Sequence, residues 1–267
     1  MNYSISGNDI LIKKHDFELY DTLVCGQAFR WTETYYGYKG YFLNSYLELE
    51  ENDDTIIFKN TSEKDFNDIW TEYFDFNTDY TYLKELFSCD ETLKKACEFA
   101  GGIRLLKQDA WETVCSFIIS QNNNIPRIKK IISAMCEHYG GFPTALQLAA
   151  ETPESIDFLK TGFRAKYIID AAEKTASGKI NLDEISVMPL ESARKELMTV
   201  KGIGPKVADC VLLFGMYRTD AFPVDVWIKR AMAQYYPDGF PSYLEKYRGI
   251  AQQYLFHYIR NSGKAET

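Results

Sequence analysis

Residues 196–228 read ELMTVKGIGPKVADCVLLFGMYRTDAFPVDVWI, and this stretch decides the architecture of the C-terminal part of the chain. Two short helices flank Lys201-Gly202-Ile203-Gly204, whose glycines allow a tight hairpin between them. The second helix then opens with backbone N–H groups that have no partner inside it, an arrangement suited to gripping a phosphate without reading a base. The tripeptide Gly202-Ile203-Gly204 alone equally describes a plain turn. Lys206 follows just inside the second helix, and nineteen residues later Asp225 stands in an apolar stretch after Pro223. Taken singly, Lys206 reads as a solvated helix lysine and Asp225 as an N-cap before Val226-Trp227-Ile228.

Working outward, the sequence divides in two. Residues 1–60 carry short apolar and aromatic runs of strand length at 10–12, 29–31, 41–49 and 55–58, separated by turn-forming stretches such as Tyr36-Gly37-Tyr38 and Glu51-Asn52-Asp53-Asp54. After Ser62 the period becomes helical, with Leu83, Leu86 and Phe87, then Val114, Phe117 and Ile118, at spacings of three and four. Helical segments continue to the end, punctuated by Gly140-Gly141, Pro153, Gly178 and Pro189. The expected class is therefore α+β: an antiparallel sheet subdomain with flanking helices over 1–95, then a mostly helical domain over 96–267. The hairpin falls at about 190–230 within that helical domain.

Composition excludes several classes. A chain of 267 residues with 46% hydrophobic and 25% charged side chains is that of an ordinary globular protein. No apolar run approaches the roughly 20 residues that span a bilayer. Residues 1–11 show no basic segment followed by an apolar one, so no secretory signal is expected. Cys25, Cys89, Cys97, Cys115, Cys136 and Cys210 lack any CxxC spacing. They read as reduced thiols of a cytoplasmic protein, and argue against a zinc site or an iron–sulfur cluster. The net charge of −8 at first opposes nucleic-acid binding, but its distribution is uneven. Residues 1–100 hold 9 Lys/Arg against 20 Asp/Glu, whereas residues 101–267 hold 21 against 18. The acidity belongs to the N-terminal third, which leaves room for a positive face elsewhere.

The strings Lys206-Val207-Ala208-Asp209-Cys210 and Pro223-Val224-Asp225-Val226, with the hairpin before them, resemble the 8-oxoguanine DNA glycosylase/AP lyases of the helix-hairpin-helix superfamily. The resemblance covers roughly residues 10–262. It implies that Lys206 attacks the sugar C1′ through a Schiff base, that Asp225 assists, and that β-elimination then cuts the strand. It implies phosphate contact at Gly202 and Gly204. Asn122, in Asn122-Asn123-Asn124-Ile125, matches the residue that fills the hole left by an extruded base. Arg127 and Arg164 match the arginines that read the orphaned cytosine, and Phe163 the aromatic wedge. For the base pocket the resemblance implies a Gly26 carbonyl accepting from N7–H, an amide from Gln252 on the base edge, and Phe256 and Cys210 closing its two faces. Gln252 and Phe256 are four apart, so they share one side of a C-terminal pocket helix.

Three positions depart from the family pattern: Trp227 stands where animal members carry a phosphate-contacting histidine, Lys201 replaces a proline, and Phe163 replaces a tyrosine. The four-cysteine C-terminal motif of the endonuclease III branch is missing from the sequence. The expected protein is thus a monomeric microbial member, nucleoid-associated. Its expected partner is duplex DNA holding 8-oxoguanine opposite cytosine, and it needs no cofactor, metal or membrane. Two other classes remain open from the residues alone: a glycosylase of the same superfamily for another damaged base, and a non-catalytic hairpin module.

Overall fold

The computed structural model describes residues 2–262. Its contacts group the chain into two units, one formed by residues up to 107 together with those from 224 onward, the other by residues 108–223.

In the first unit six strands form one antiparallel sheet: β1 (Tyr3–Ser6), β2 (Asp9–Lys13), β3 (Trp31–Glu33), β4 (Gly37–Phe42), β5 (Ser45–Glu51) and β6 (Thr55–Lys59). They lie in the order β1-β2-β6-β5-β4-β3. Period-2 alternation turns Ile10, Ile12, Leu47, Leu49, Ile56 and Phe58 to one face, all buried. Against that face pack Phe17, Leu19 and Leu23 and the aromatic run Phe66, Trp70, Tyr73, Phe74 and Phe76. Trp31 is fully buried and donates its indole N–H to the Tyr73 hydroxyl at 2.7 Å.

Two strand expectations need correction. The run 41–49 is not one strand: Leu43 takes φ +52° and the pairs Phe42↔Ser45 and Tyr41↔Tyr46 close a two-residue hairpin. β1 was not expected from its polar sequence. It is an edge strand whose side chains remain largely exposed, so no alternation marks it.

Four longer helices complete this unit: Tyr80–Phe87, Glu91–Phe99, Val226–Tyr235 and Arg248–Ser262. Asp79, Asp90 and Asp225 cap the first three. Glu91–Phe99 runs across the 95/96 division expected from the sequence. The last helix packs on the N-terminal ones through Tyr254 against Phe87 and Tyr258 against Phe99.

The second unit is helical throughout. Its main elements are Ala110–Ser120, Ile125–Tyr139, Ala165–Ala176, Leu190–Leu197 and Pro205–Cys210. Asn124 caps Ile125–Tyr139 at one end and Gly140, at φ +71°, closes it at the other. The fold is α+β, a sheet followed by a helical core. Among the described residues no helix is long and apolar enough to cross a membrane.

Candidate active site

In the second unit the hairpin joins Leu190–Leu197 to Pro205–Cys210. Gly202 lies at φ +81°, and a Cβ there would come within 2.2 Å of the Tyr167 ring, so handedness and space both demand glycine. A Cβ on Gly204 would meet nothing within 4 Å. Asp170, on Ala165–Ala176, ties the hairpin down: its Oδ2 accepts from the Lys201 N–H at 2.8 Å and from Lys174 Nζ at 2.7 Å. Lys174 also donates to Thr199 O at 2.7 Å. Burial pushes the Asp170 carboxyl up, but the bonds from Lys174 and Lys201 outweigh it and hold the group below the usual aspartate range.

Lys206 occupies the first turn of Pro205–Cys210, half-buried and without an ion pair among the described residues. Its Nζ stands 5.3 Å from the centroid of Phe117, and that ring stacks on Phe214 at 5.2 Å and 11°. Cys210 is buried four residues on, on the same face of the helix.

The Asn-rich loop lies in the same unit, between Ala110–Ser120 and Ile125–Tyr139. Asn122 is exposed and takes φ +47°. Arg164, only 4% exposed, donates Nε to Gln121 O at 2.8 Å, Nη2 to Asn122 O at 3.0 Å and Nη1 to Thr161 O at 3.0 Å. Burial, followed by the nearby Arg127 charge, lowers the Arg164 pKa from its ordinary value. Arg127 is exposed and reaches Lys160 O at 3.2 Å. Phe163 is 51% exposed, with the Arg164 guanidinium 4.5 Å from its ring centroid. The loop carbonyls therefore hold Arg164, while Arg127, Asn122 and Phe163 present themselves to solvent.

The remaining candidates belong to the first unit. Asp225 caps Val226–Tyr235 through Oδ1, which accepts from Trp227 N–H at 2.9 Å and Ile228 N–H at 2.8 Å. Its Oδ2 has no hydrogen-bond partner among the described residues. Gly26 turns the chain at φ +90°, a conformation closed to most side chains. The residues around it hang on the extended segment 102–106. Gln27 Nε2 donates to Arg104 O at 2.8 Å, Leu106 N–H to Gln27 Oε1 at 2.9 Å, and Thr22 Oγ1 to Gly102 O at 2.8 Å. The same segment holds the C-terminal helix, since the Tyr254 hydroxyl donates to Ile103 O at 2.7 Å. On that helix Gln252 is buried and Phe256 half-buried. Cys25 is buried, and burial pushes its thiol up to about 12, which disfavours the thiolate form.

Comparison with known proteins supplies the decisive observation. Residues 9–114 match the family described as 8-oxoguanine DNA glycosylase, N-terminal domain, and residues 115–246 match the HhH-GPD superfamily of base excision DNA repair proteins. The N-glycosylase/DNA lyase of Saccharomyces cerevisiae is 32% identical, over 83% of this chain and 69% of the yeast one. The chain belongs to the 8-oxoguanine DNA glycosylase/lyase family. Two solved structures agree over nearly the whole length. MBOgg1 in complex with a low-affinity DNA ligand gives a TM-score of 0.90 at 42% identity, covering 98% of this chain and 99% of that one. The Clostridium acetobutylicum 8-oxoguanine glycosylase/lyase, bound to duplex DNA with cytosine opposite 8-oxoguanine, gives 0.89 at 36% identity and the same coverage.

Three contributors to this family member's candidate site are not apparent from the chain order. Arg104 is buried and donates to Phe74 O at 3.1 Å, Asp16 O at 3.2 Å, and Asp75 O and Thr78 O at 3.0 Å each, which fixes the segment carrying the Gly26 turn. A lone charge in the apolar run Ile103–Leu106 was a signal that could have marked it. Asp170, bracing the hairpin, sits on an amphipathic helix with nothing local to distinguish it. Gln253 is buried beside Gln252, and one glutamine carries no pattern at all.

Proposed function

We propose that this chain excises 8-oxoguanine from duplex DNA and then cleaves the strand at the abasic site, with Lys206 as nucleophile and Asp225 as the assisting carboxylate. The observation that carries the assignment is Lys206 itself: half-buried, free of any carboxylate partner among the described residues, and seated directly after the hairpin. Its amine attacks C1′ as the C1′–N9 bond breaks and the base departs with the electron pair. Ring opening yields the imine between Nζ and C1′. Loss of a proton from C2′ then expels the 3′-phosphate, and water releases the enzyme. Asp225, with Oδ2 unengaged, stabilises the positive charge that develops on the sugar and orients the proton transfers.

Gly26 C=O accepts from N7–H, which only the oxidised base has, while Gln252 meets the base edge and Phe256 and Cys210 flank the ring. Gly202 and Gly204 present backbone N–H groups to a phosphate, Asn122 fills the vacated stack, and Arg127 and Arg164 read the estranged cytosine with Phe163 as wedge. The protein acts as a monomer on chromosomal DNA, in the cytoplasm with the nucleoid.

The test is Lys206→Gln on a duplex with 8-oxoguanine opposite cytosine. Base release, strand cleavage and the borohydride-trapped protein–DNA adduct are all lost, while DNA binding is kept. An adduct that persists in this variant assigns the nucleophile elsewhere.

A further inference from the structure

The C-terminal helix carries two adjacent buried amides. Gln252 is 3% exposed and Gln253 is 4% exposed. Gln253 Nε2 donates to Gln252 Oε1 at 3.0 Å, which joins the two side chains. The other branch of the same amide, Gln253 Oε1, is buried and has no hydrogen-bond partner among the described residues. A buried acceptor in that state opposes folding, and an aliphatic side chain of similar volume avoids the cost. Buried polar atoms are nearly always paired, so this orphaned oxygen calls for a partner.

The Watson–Crick edge of a guanine-derived base offers, in order, the O6 acceptor, the N1–H donor and the exocyclic 2-amino donor. One glutamine amide engages two of these, an N–H to O6 and an oxygen to N1–H. The 2-amino group is left over, and Gln253 Oε1 is the unsatisfied acceptor attached directly to Gln252.

We propose that Gln253 is a second base-reading amide, whose Oε1 accepts from the 2-amino group of the base that Gln252 meets. The inference rests on the assignment of Gln252 to the base edge. It makes Gln253 a specificity-determining residue for guanine-derived lesions over otherwise identical ones lacking that amino group.

The test is Gln253→Leu in the full-length protein, with single-turnover excision measured opposite cytosine on two substrates, 8-oxoguanine and 8-oxohypoxanthine, which differ only in the 2-amino group. Excision of 8-oxoguanine slows by roughly tenfold or more, the factor expected for one buried hydrogen bond. Excision of 8-oxohypoxanthine changes less than about threefold, because that base never supplied the donor. The melting temperature moves by no more than a few degrees, since the orphaned acceptor and the bond to Gln252 are removed together. Equal losses on both bases, or no loss on either, overturn the proposal. So does a lowered melting temperature with parallel losses, which marks a packing role. Should Gln253→Leu fail to fold, Gln253→Met keeps the length without the amide and is read by the same two ratios. Gln252→Leu separates the two assignments: it slows both substrates if Gln252 meets the base edge, and its failure to do so removes the underlying reading independently of Gln253.

Discussion

Asp225 Oδ1 accepts the Trp227 and Ile228 N–H groups, so a substitution that keeps an oxygen acceptor there also keeps the cap. Asn caps a helix about as well as Asp, whereas Ala forfeits about 1 kcal/mol. Asp225→Asn therefore melts within a few degrees of the parent and Asp225→Ala lower. On the role proposed for Asp225 at the sugar, both lose excision by about a hundredfold or more, because the carboxylate charge is gone in each. Single-turnover rates beside melting curves separate the two roles, and a fully active Asp225→Asn reduces the residue to a cap. A comparable contrast holds for the two arginines. Arg127 is exposed with one weak bond, so Arg127→Ala flattens the preference for cytosine about tenfold while the protein melts normally. Arg164 grips the carbonyls of Gln121, Asn122 and Thr161, so Arg164→Ala also lowers stability by about 1–3 kcal/mol. Excision assayed opposite each of the four bases, with denaturant unfolding, reads both effects.

The hairpin is a short element that does not stand alone. Its Gly202 closes against Tyr167, and its backbone is fastened to Ala165–Ala176 through Asp170. Since the folded Asp170 carboxyl lies below the ordinary aspartate value near 3.9, the folded state favours its ionised form. The stability this contributes is present above that value and is lost as pH falls through the depressed one. Unfolding by denaturant at a series of pH values is expected to show the parent losing stability below about pH 4 more steeply than Asp170→Asn. At neutral pH the Asn variant is the weaker of the two. Parallel profiles show that this ionisation does not hold the hairpin. Within the element much was legible beforehand: two glycines between helical periods, a proline at the first helical position and a lysine just after it. The brace was not, because Asp170 lies 31 residues from Lys201 and no local pattern links them.

At the scale of the molecule, the first unit is discontinuous in sequence, residues up to 107 being completed by those from 224 onward. The C-terminal helix supplies Tyr254 to Phe87, Tyr258 to Phe99 and the hydroxyl that Ile103 O accepts. Without it those apolar faces are left open to water. A fragment of residues 1–107 is thus expected to give no cooperative melt by itself, and to regain one when residues 224–262 are supplied in trans. A sharp melt of 1–107 alone shows that the sheet and its aromatic layer suffice. The acidity noted in residues 1–100 lies on the part of the chain that builds the sheet. Residues 101–267 carry the small excess of Lys and Arg, 21 against 18 Asp and Glu.

By itself the sequence determined what depends on near neighbours: the strand-length apolar runs at 10–12 and 55–58, the cap at Asp225, the glycine hairpin, and the order of Lys206 and Asp225 that marks the family. Each is written in a few consecutive residues, where φ/ψ preference and side-chain periodicity act directly. Only the tertiary structure decided that Arg164 holds carbonyls 42 and 43 residues away, that residue 103 accepts from a hydroxyl 151 residues later, and that Gln253 keeps a buried oxygen unpaired beside Gln252. These depend on which distant segments exclude water from one another. A donor or acceptor gains its meaning only once burial has removed the solvent that would otherwise satisfy it.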